Sequence, residues 1–132
     1  MHLKQIKTSK DGRLNAQLDV IVWDNEMQQI KVVNKSGKLF QCILDNEESI
    51  LWFCVQDSNR HWTIYDVMSG YQCCWTTSLK KAKEMMTDPE FVRKVNQARE
   101  ARDKIQRSRY EDWNDMSAHF NAQLYTLQEK FL

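Results

Sequence analysis

Apolar and polar residues alternate with one period in the first part of the chain and another in the second. In "LNAQLDVIVW", Leu14, Ala16, Leu18, Val20 and Val22 share one parity, and Asn15, Gln17 and Asp19 take the other before Ile21 and Trp23. That is the period of a half-buried strand. "QIKVV" and "KLFQCIL" follow, separated by "NKSG", whose Gly37 suits a hairpin turn. "SILWFCVQ" lies between the turn sequences "DNEE" and "DSNR". "HWTIYDV" and "YQCCW" flank "MSG", where Gly70 is placed to take a positive φ. The pattern predicts about six antiparallel strands over residues 14–75, connected in chain order as a meander.

From residue 77 onward the period is helical. "TTSLKKAKEMM" predicts a helix beginning at Thr76 or Thr77. Thr87 stands three residues before Glu90 with Pro89 between them, the spacing of a capping box. No Gly or Pro follows Pro89, and unbroken helix from there would run roughly 64 Å at 1.5 Å per residue. Ser108 and Glu111 repeat the capping-box spacing where the apolar phase changes, so a break is expected near 107–111. Residues 90–108 carry a narrow stripe of Phe91, Val92, Val95, Ala98, Ala101 and Ile105, with Arg93, Lys104 and Arg107 on the opposite side.

The last segment has the cleanest repeat. Trp113, Ser117, Phe120, Leu124, Leu127 and Phe131 recur at alternating steps of four and three, flanked by Tyr110 and Met116. Such a seam must bury itself on the sheet, on the preceding helix or on a second copy of the chain. Trp113, Phe120, Leu124 and Leu127 are therefore candidates for a packing seam or for the interface of a homodimer through the C-terminal helix.

Strands followed by helices define an α+β class: an antiparallel β-meander of about six strands followed by two or three C-terminal helices. At 132 residues the chain has single-domain length, with the sheet in 14–75 and the helical region in 77–132. Composition adds one constraint. Both faces of the central strands are apolar, with Ile50, Trp52 and Tyr65 expected on one and Leu51, Phe53, Val55, Trp62 and Ile64 on the other. Either helices cover both faces, or one apolar face meets another molecule.

The formal net charge of +1 conceals a segregation. Residues 1–13 balance to +3, 14–79 to −4, 80–109 to +5 and 110–132 to −3. Segment 80–109 holds ten basic residues, enough to attract a phosphate backbone or an acidic protein surface. Glu90 with Lys94 and Asp103 with Arg107 sit at i,i+4 and would offset part of that charge. Arg93, Lys104, Arg107 and Arg109 are the candidate partner-binding residues.

Candidate chemistry is sparse. The chain has 3 glycines, too few for a phosphate cradle or a nucleophile elbow. Cys42, Cys54, Cys73 and Cys74 lack the short Cys-x-x-Cys pairs of a zinc knuckle. Hairpin registers assign Cys73 to the Trp52 face and Cys42 and Cys74 to the Leu51 face, dividing the thiols between faces. No metal and no cofactor is expected. His61 opens "HWT" without a second His-x-Thr to complete a two-histidine phosphoesterase, and its place beside a turn is ordinary for an exposed histidine. Asp66, mid-strand in "TIYDVMSG", is the exception among the carboxylates. It calls for a Lys or Arg partner or a bond to the turn at Ser69.

The N-terminal "MHLKQIKTSKDGR" has no apolar signal core, and no run of about 18 apolar residues occurs, so a cytoplasmic location with reduced thiols and no membrane span is expected. The expected function is that of a non-catalytic protein-binding module with an acidic partner surface, and no enzyme activity. Small chains without catalytic motifs are often stoichiometric binders. Phages and mobile elements encode many as inhibitors of host defence or nucleic-acid-processing complexes. The alternative is a nucleic-acid-binding or regulatory protein that uses the basic segment 80–109.

Overall fold

The computed structural model describes residues 1–8 and 15–132. The chain is an α+β protein of six antiparallel strands followed by three C-terminal helices. The strands are β1 (His2–Ile6), β2 (Ala16–Asp24), β3 (Gln29–Ile43), β4 (Ser49–Ser58), β5 (His61–Asp66) and β6 (Gln72–Thr76). The helices are α1 (Leu79–Met86), α2 (Pro89–Arg109) and α3 (Trp113–Phe131). β2 to β6 pair in chain order as the expected meander, and β1 lies beside β3. Leu14, the expected start of the first strand, lies outside the described residues, as do Lys10, Asp11 and Arg13 of the N-terminal basic block.

Two strand assignments differ from the sequence pattern. "QIKVV" and "KLFQCIL" are one continuous strand of 15 residues, and "NKSG" is not a turn. The first part of β3 pairs with β2, from Asp24 opposite Gln29 to Ala16 opposite Gly37. Its second part pairs with β1 and β4. Gly37 marks the exchange of neighbours, where a Cβ would overlap the backbone carbonyl of Cys54. Its role is close backbone approach rather than a positive φ. The added strand, β1, escapes the pattern because three of its five residues are exposed. Backbone pairing with Leu39–Ile43 holds it in place.

The sheet has two apolar faces, and the chain covers both. On the first, Leu39, Leu51, Phe53, Tyr65 and Val67 pack against Ala16, Leu18 and Val20 of β2 and Leu127 of α3. β2 therefore curls over this face, and its Ile21 N–H reaches the Gly70 carbonyl of the β5–β6 turn at 2.8 Å. On the second, Phe40, Trp52, Cys54 and Ile64 pack against Ala82 and Met86 of α1 and Val92 of α2. Tyr65 and Ile64 occupy the faces opposite to those expected. The cause is an irregularity between Gln56 and Ser58 that shifts the β4–β5 register by one residue, pairing Cys54 with Ile64 instead of Thr63. A one-residue slip exchanges the faces of every side chain in a strand.

α3 is fastened along β2 by polar contacts as well as by its seam. The Gln123 side chain accepts from Asp19 N at 2.8 Å and donates to Asp19 O at 3.1 Å. His119 Nε2 lies 2.8 Å from Asp19 Oδ2, and Asn34 donates to Oδ1 at 3.0 Å. The hydrogen bond from Asn34, with the His119 imidazole beside it, holds the Asp19 carboxyl below the usual carboxylate range.

The helix ends also depart from the capping boxes. Ser78 caps α1 by accepting from Lys81 N, and Asp88 caps α2 by accepting from Glu90 N, while Thr87 closes α1. Ser108 donates to the Ile105 carbonyl at 2.7 Å instead of capping α3. α2 and α3 are separated by Tyr110–Asp112, with Tyr110 in extended conformation.

Gly70 takes φ +78°, and a Cβ there would overlap the ring of Phe120. Gly70→Ala should therefore destabilise the fold by roughly 2–4 kcal/mol, combining left-handed strain with overpacking. Urea denaturation measures the loss, and Phe120→Leu in the same chain should restore part of it.

Candidate functional site

The inner face of α2 changes character along its length. Phe91, Val92 and Val95 belong to the apolar cluster under Trp52, and the Phe91 and Trp52 rings stack at 5.5 Å. The stripe then continues not through Ala98, Ala101 and Ile105, which are exposed, but through Arg99, Arg102 and Gln106. Positions 92, 95, 99, 102 and 106 step by three and four, so these polar side chains point the same way as the valines.

Arg99 meets Asp66, the carboxylate that the sequence marks as needing a partner. Its Nε donates to Oδ2 at 2.8 Å and its Nη2 to Oδ1 at 2.9 Å, while Nη1 donates to Asn96 at 3.1 Å. Asp66 is 1% exposed. It also accepts from Ser69 Oγ at 2.7 Å, and its own carbonyl accepts from Gly70 N at 2.7 Å. The ion pair therefore ties the β5–β6 turn to α2. One turn further along, the Arg102 guanidinium lies 4.0 Å from the centre of the Tyr71 ring. The Tyr71 hydroxyl accepts from Gln106 Nε2 at 2.7 Å.

At the start of α3, Trp113 Nε1 donates to Asp103 at 2.9 Å, and Arg107 Nε lies 3.1 Å from the same carboxylate. The Trp113 bond, with the Arg107 charge beside it, keeps the Asp103 carboxyl below its usual range. Between these helices is a cleft of about 300 Å³, bounded by Arg99, Arg102 and Arg107 on α2 and by Trp113, Ser117 and Phe120 on α3.

The nominated basic residues do not converge here. Arg93 is exposed and paired with Glu90, replacing the expected Glu90–Lys94 pair. Lys104 and Arg109 are exposed on α2. Arg107 alone reaches the cleft, and it is paired with Asp103 as its spacing implied. Of the seam, Trp113, Phe120 and Leu127 are buried within the chain, and Leu124 is half-buried against the first core cluster. Arg99, Arg102 and Tyr71 are the site residues that sequence reasoning did not single out. The legible signal was the continuation of the Val92–Val95 stripe into charged positions.

All four cysteines pack on the α1–α2 face, correcting the expected division between faces. The β5–β6 register shifts between Ile64 and Tyr65, which leaves Cys73 as an extra residue, so adjacent Cys73 and Cys74 reach the same cluster. Cys54 lies 3.6 Å from the Met86 sulfur and Cys74 3.8 Å from that of Met85. Burial pushes the Cys54 and Cys73 thiols up to about 12. Among the described residues no group of three or more His, Cys, Asp and Glu side chains is arranged to hold a metal ion. His61 stacks on Trp75 at 4.7 Å, with Nε2 3.6 Å from Asp57. No helix among the described residues is long and apolar enough to cross a membrane.

Comparison with family models, with curated proteins and with solved structures gave no match.

Two outcomes follow from this geometry. Asp66→Ala strands the Arg99 charge and should cost about 3–5 kcal/mol in urea denaturation, whereas Asp66→Leu with Arg99→Met should recover most of that loss. A loss below about 1 kcal/mol in Asp66→Ala would show that the pairing is unimportant. Separately, burial raises the Cys54 and Cys73 thiols far above pH 8, and only the thiolate reacts. Cys54 and Cys73 should resist a thiol reagent at pH 8 in the native protein and react promptly in guanidinium. Labelling of Cys54 within minutes in the native state would contradict its burial.

Proposed function

We propose that this protein is a non-catalytic binding module that docks the exposed basic side of its helices on an acidic surface of another protein. Its size, and the lack of a catalytic constellation among the described residues, suit a stoichiometric inhibitor, of the kind phages and mobile elements direct at host defence or nucleic-acid-processing complexes. One observation carries the reading. Of the ten basic residues in 80–109, Arg93, Arg99 and Arg107 are paired with carboxylates. Lys80, Lys81, Lys94, Lys104 and Arg109 are exposed and have no carboxylate partner among the described residues. A positive surplus on two successive helices steers an acidic partner into contact. Exposed Trp23 and Met27, near the tip of the β2–β3 hairpin, and exposed Trp75 supply side chains of the type that anchors interfaces. The non-catalytic part of the reading is supported by the raised pKa of the Cys54 and Cys73 thiols and by the engagement of Asp66 with Arg99.

The test is affinity capture from an extract of the native host. Wild type should retain an acidic protein, the combined Arg93→Ala, Lys104→Ala and Arg109→Ala variant should lose it, and His61→Ala should keep it. Generic DNA and RNA should not bind at about 50 mM salt. Sub-micromolar nucleic-acid binding that falls steeply by about 200 mM would replace the protein-binding reading with the nucleic-acid one.

A further inference from the structure

The cleft between α2 and α3 has the composition of a small-ligand site. Its volume of about 300 Å³ lies at the lower end of the range in which proteins hold small molecules, about 300–1,000 Å³. Its floor is apolar, formed by Ile21, Trp113 and Phe120, which are buried together in one cluster. Met68 at the wall is 44% exposed, and its unbranched thioether can adapt to the shape of a guest.

The polar groups on the walls are unequal in what they have left to offer. Arg99 is committed to Asp66 and Asn96, and Arg107 to Asp103, whose carboxylate also takes the Trp113 indole proton. Arg102 has the Tyr71 ring as its contact and no carboxylate partner among the described residues. Stacking occupies the face of a guanidinium and leaves the N–H groups at its edge free for a planar anion. Across the cleft, Ser117 and Asn121 sit one turn apart on α3, and neither side chain has a hydrogen-bond partner among the described residues. Glu100 is exposed at the rim and disfavours a ligand of high negative charge. One unmatched, half-buried guanidinium above an apolar floor selects a single negative charge on an apolar body.

We propose that this cleft binds a small organic monoanion, with a one- or two-ring apolar body on the Trp113–Phe120 floor and its carboxylate on Arg102. The site is separate from the exposed basic side of α2 and does not depend on what that side binds.

The probe is 2-naphthoate, compared with its neutral isostere 2-naphthamide. Each is titrated into the isotope-labelled full chain while the indole N–H signals of the five tryptophans are followed by NMR. Trp113→Phe identifies the Trp113 signal. Naphthoate should move that signal saturably and bind about tenfold or more tightly than naphthamide, the factor expected of a charge-assisted hydrogen bond. Arg102→Gln should reduce the preference to about one, Arg102→Lys should keep part of it, and Ser117→Phe should abolish binding of both probes by filling the cleft. Equal affinities of the two probes for wild type would overturn the proposal without recourse to any variant. So would the absence of binding, a response confined to other tryptophans, or an undiminished preference in Arg102→Gln.

Discussion

The buried pair between Asp66 and Arg99 joins parts of the molecule that hydrophobic burial alone would leave loosely related. Asp66 ends β5 and Arg99 is midway along α2, 33 residues later. A carboxylate at 1% exposure is tolerated because a bidentate guanidinium and the Ser69 hydroxyl satisfy it. The same contact sets the rotation of α2 about its axis, so that Arg102 falls on Tyr71 and Gln106 on the Tyr71 hydroxyl. The β5–β6 turn held by Asp66 also carries Gly70. Its carbonyl receives Ile21 of β2, and its missing side chain admits the Phe120 ring of α3. Sheet, hairpin and both long helices thus meet at one turn.

Around that turn the two core clusters have different covers for a physical reason. α1 and the first part of α2 carry apolar residues on one stripe and can close the Trp52 face without polar groups. The opposite face is closed by the curled β2 and by the seam of α3, where Asp19, His119 and Gln123 supply hydrogen bonds that fix β2 against the helix. The surface left over has its positive charge concentrated on the outer sides of α1 and α2. The cleft opens where α2 turns polar and α3 begins.

Much of this was legible in particular residues. Asp66 announced a partner because a carboxylate within an otherwise apolar strand sequence needs one, and the seam of Trp113, Phe120 and Leu127 announced an inward face. The partner of Asp66 was not legible, because five basic residues in 90–104 lie within a few helical turns and only docking selects among them. The four cysteines show the opposite limit. The faces of Cys73 and Cys74 depend on two local register shifts, each of a single residue, and a hairpin count that assumes regular pairing divides thiols that the fold brings to one face.

The sequence by itself determined the α+β order, the meander from β2 to β6, the separation of α2 from α3 near residue 110 and the inward side of α3. These follow from local periodicity, turn residues and the phase of apolar positions, which act over a few residues at a time. Only the tertiary structure decided that β3 runs through "NKSG", that β1 joins it, that the thiols share one face, and that Arg99 rather than a neighbour meets Asp66. Each of those depends on contacts between distant segments. The close approach of Cys54 to Gly37 and the reach of a guanidinium to a turn 33 residues away leave no periodic trace in the chain.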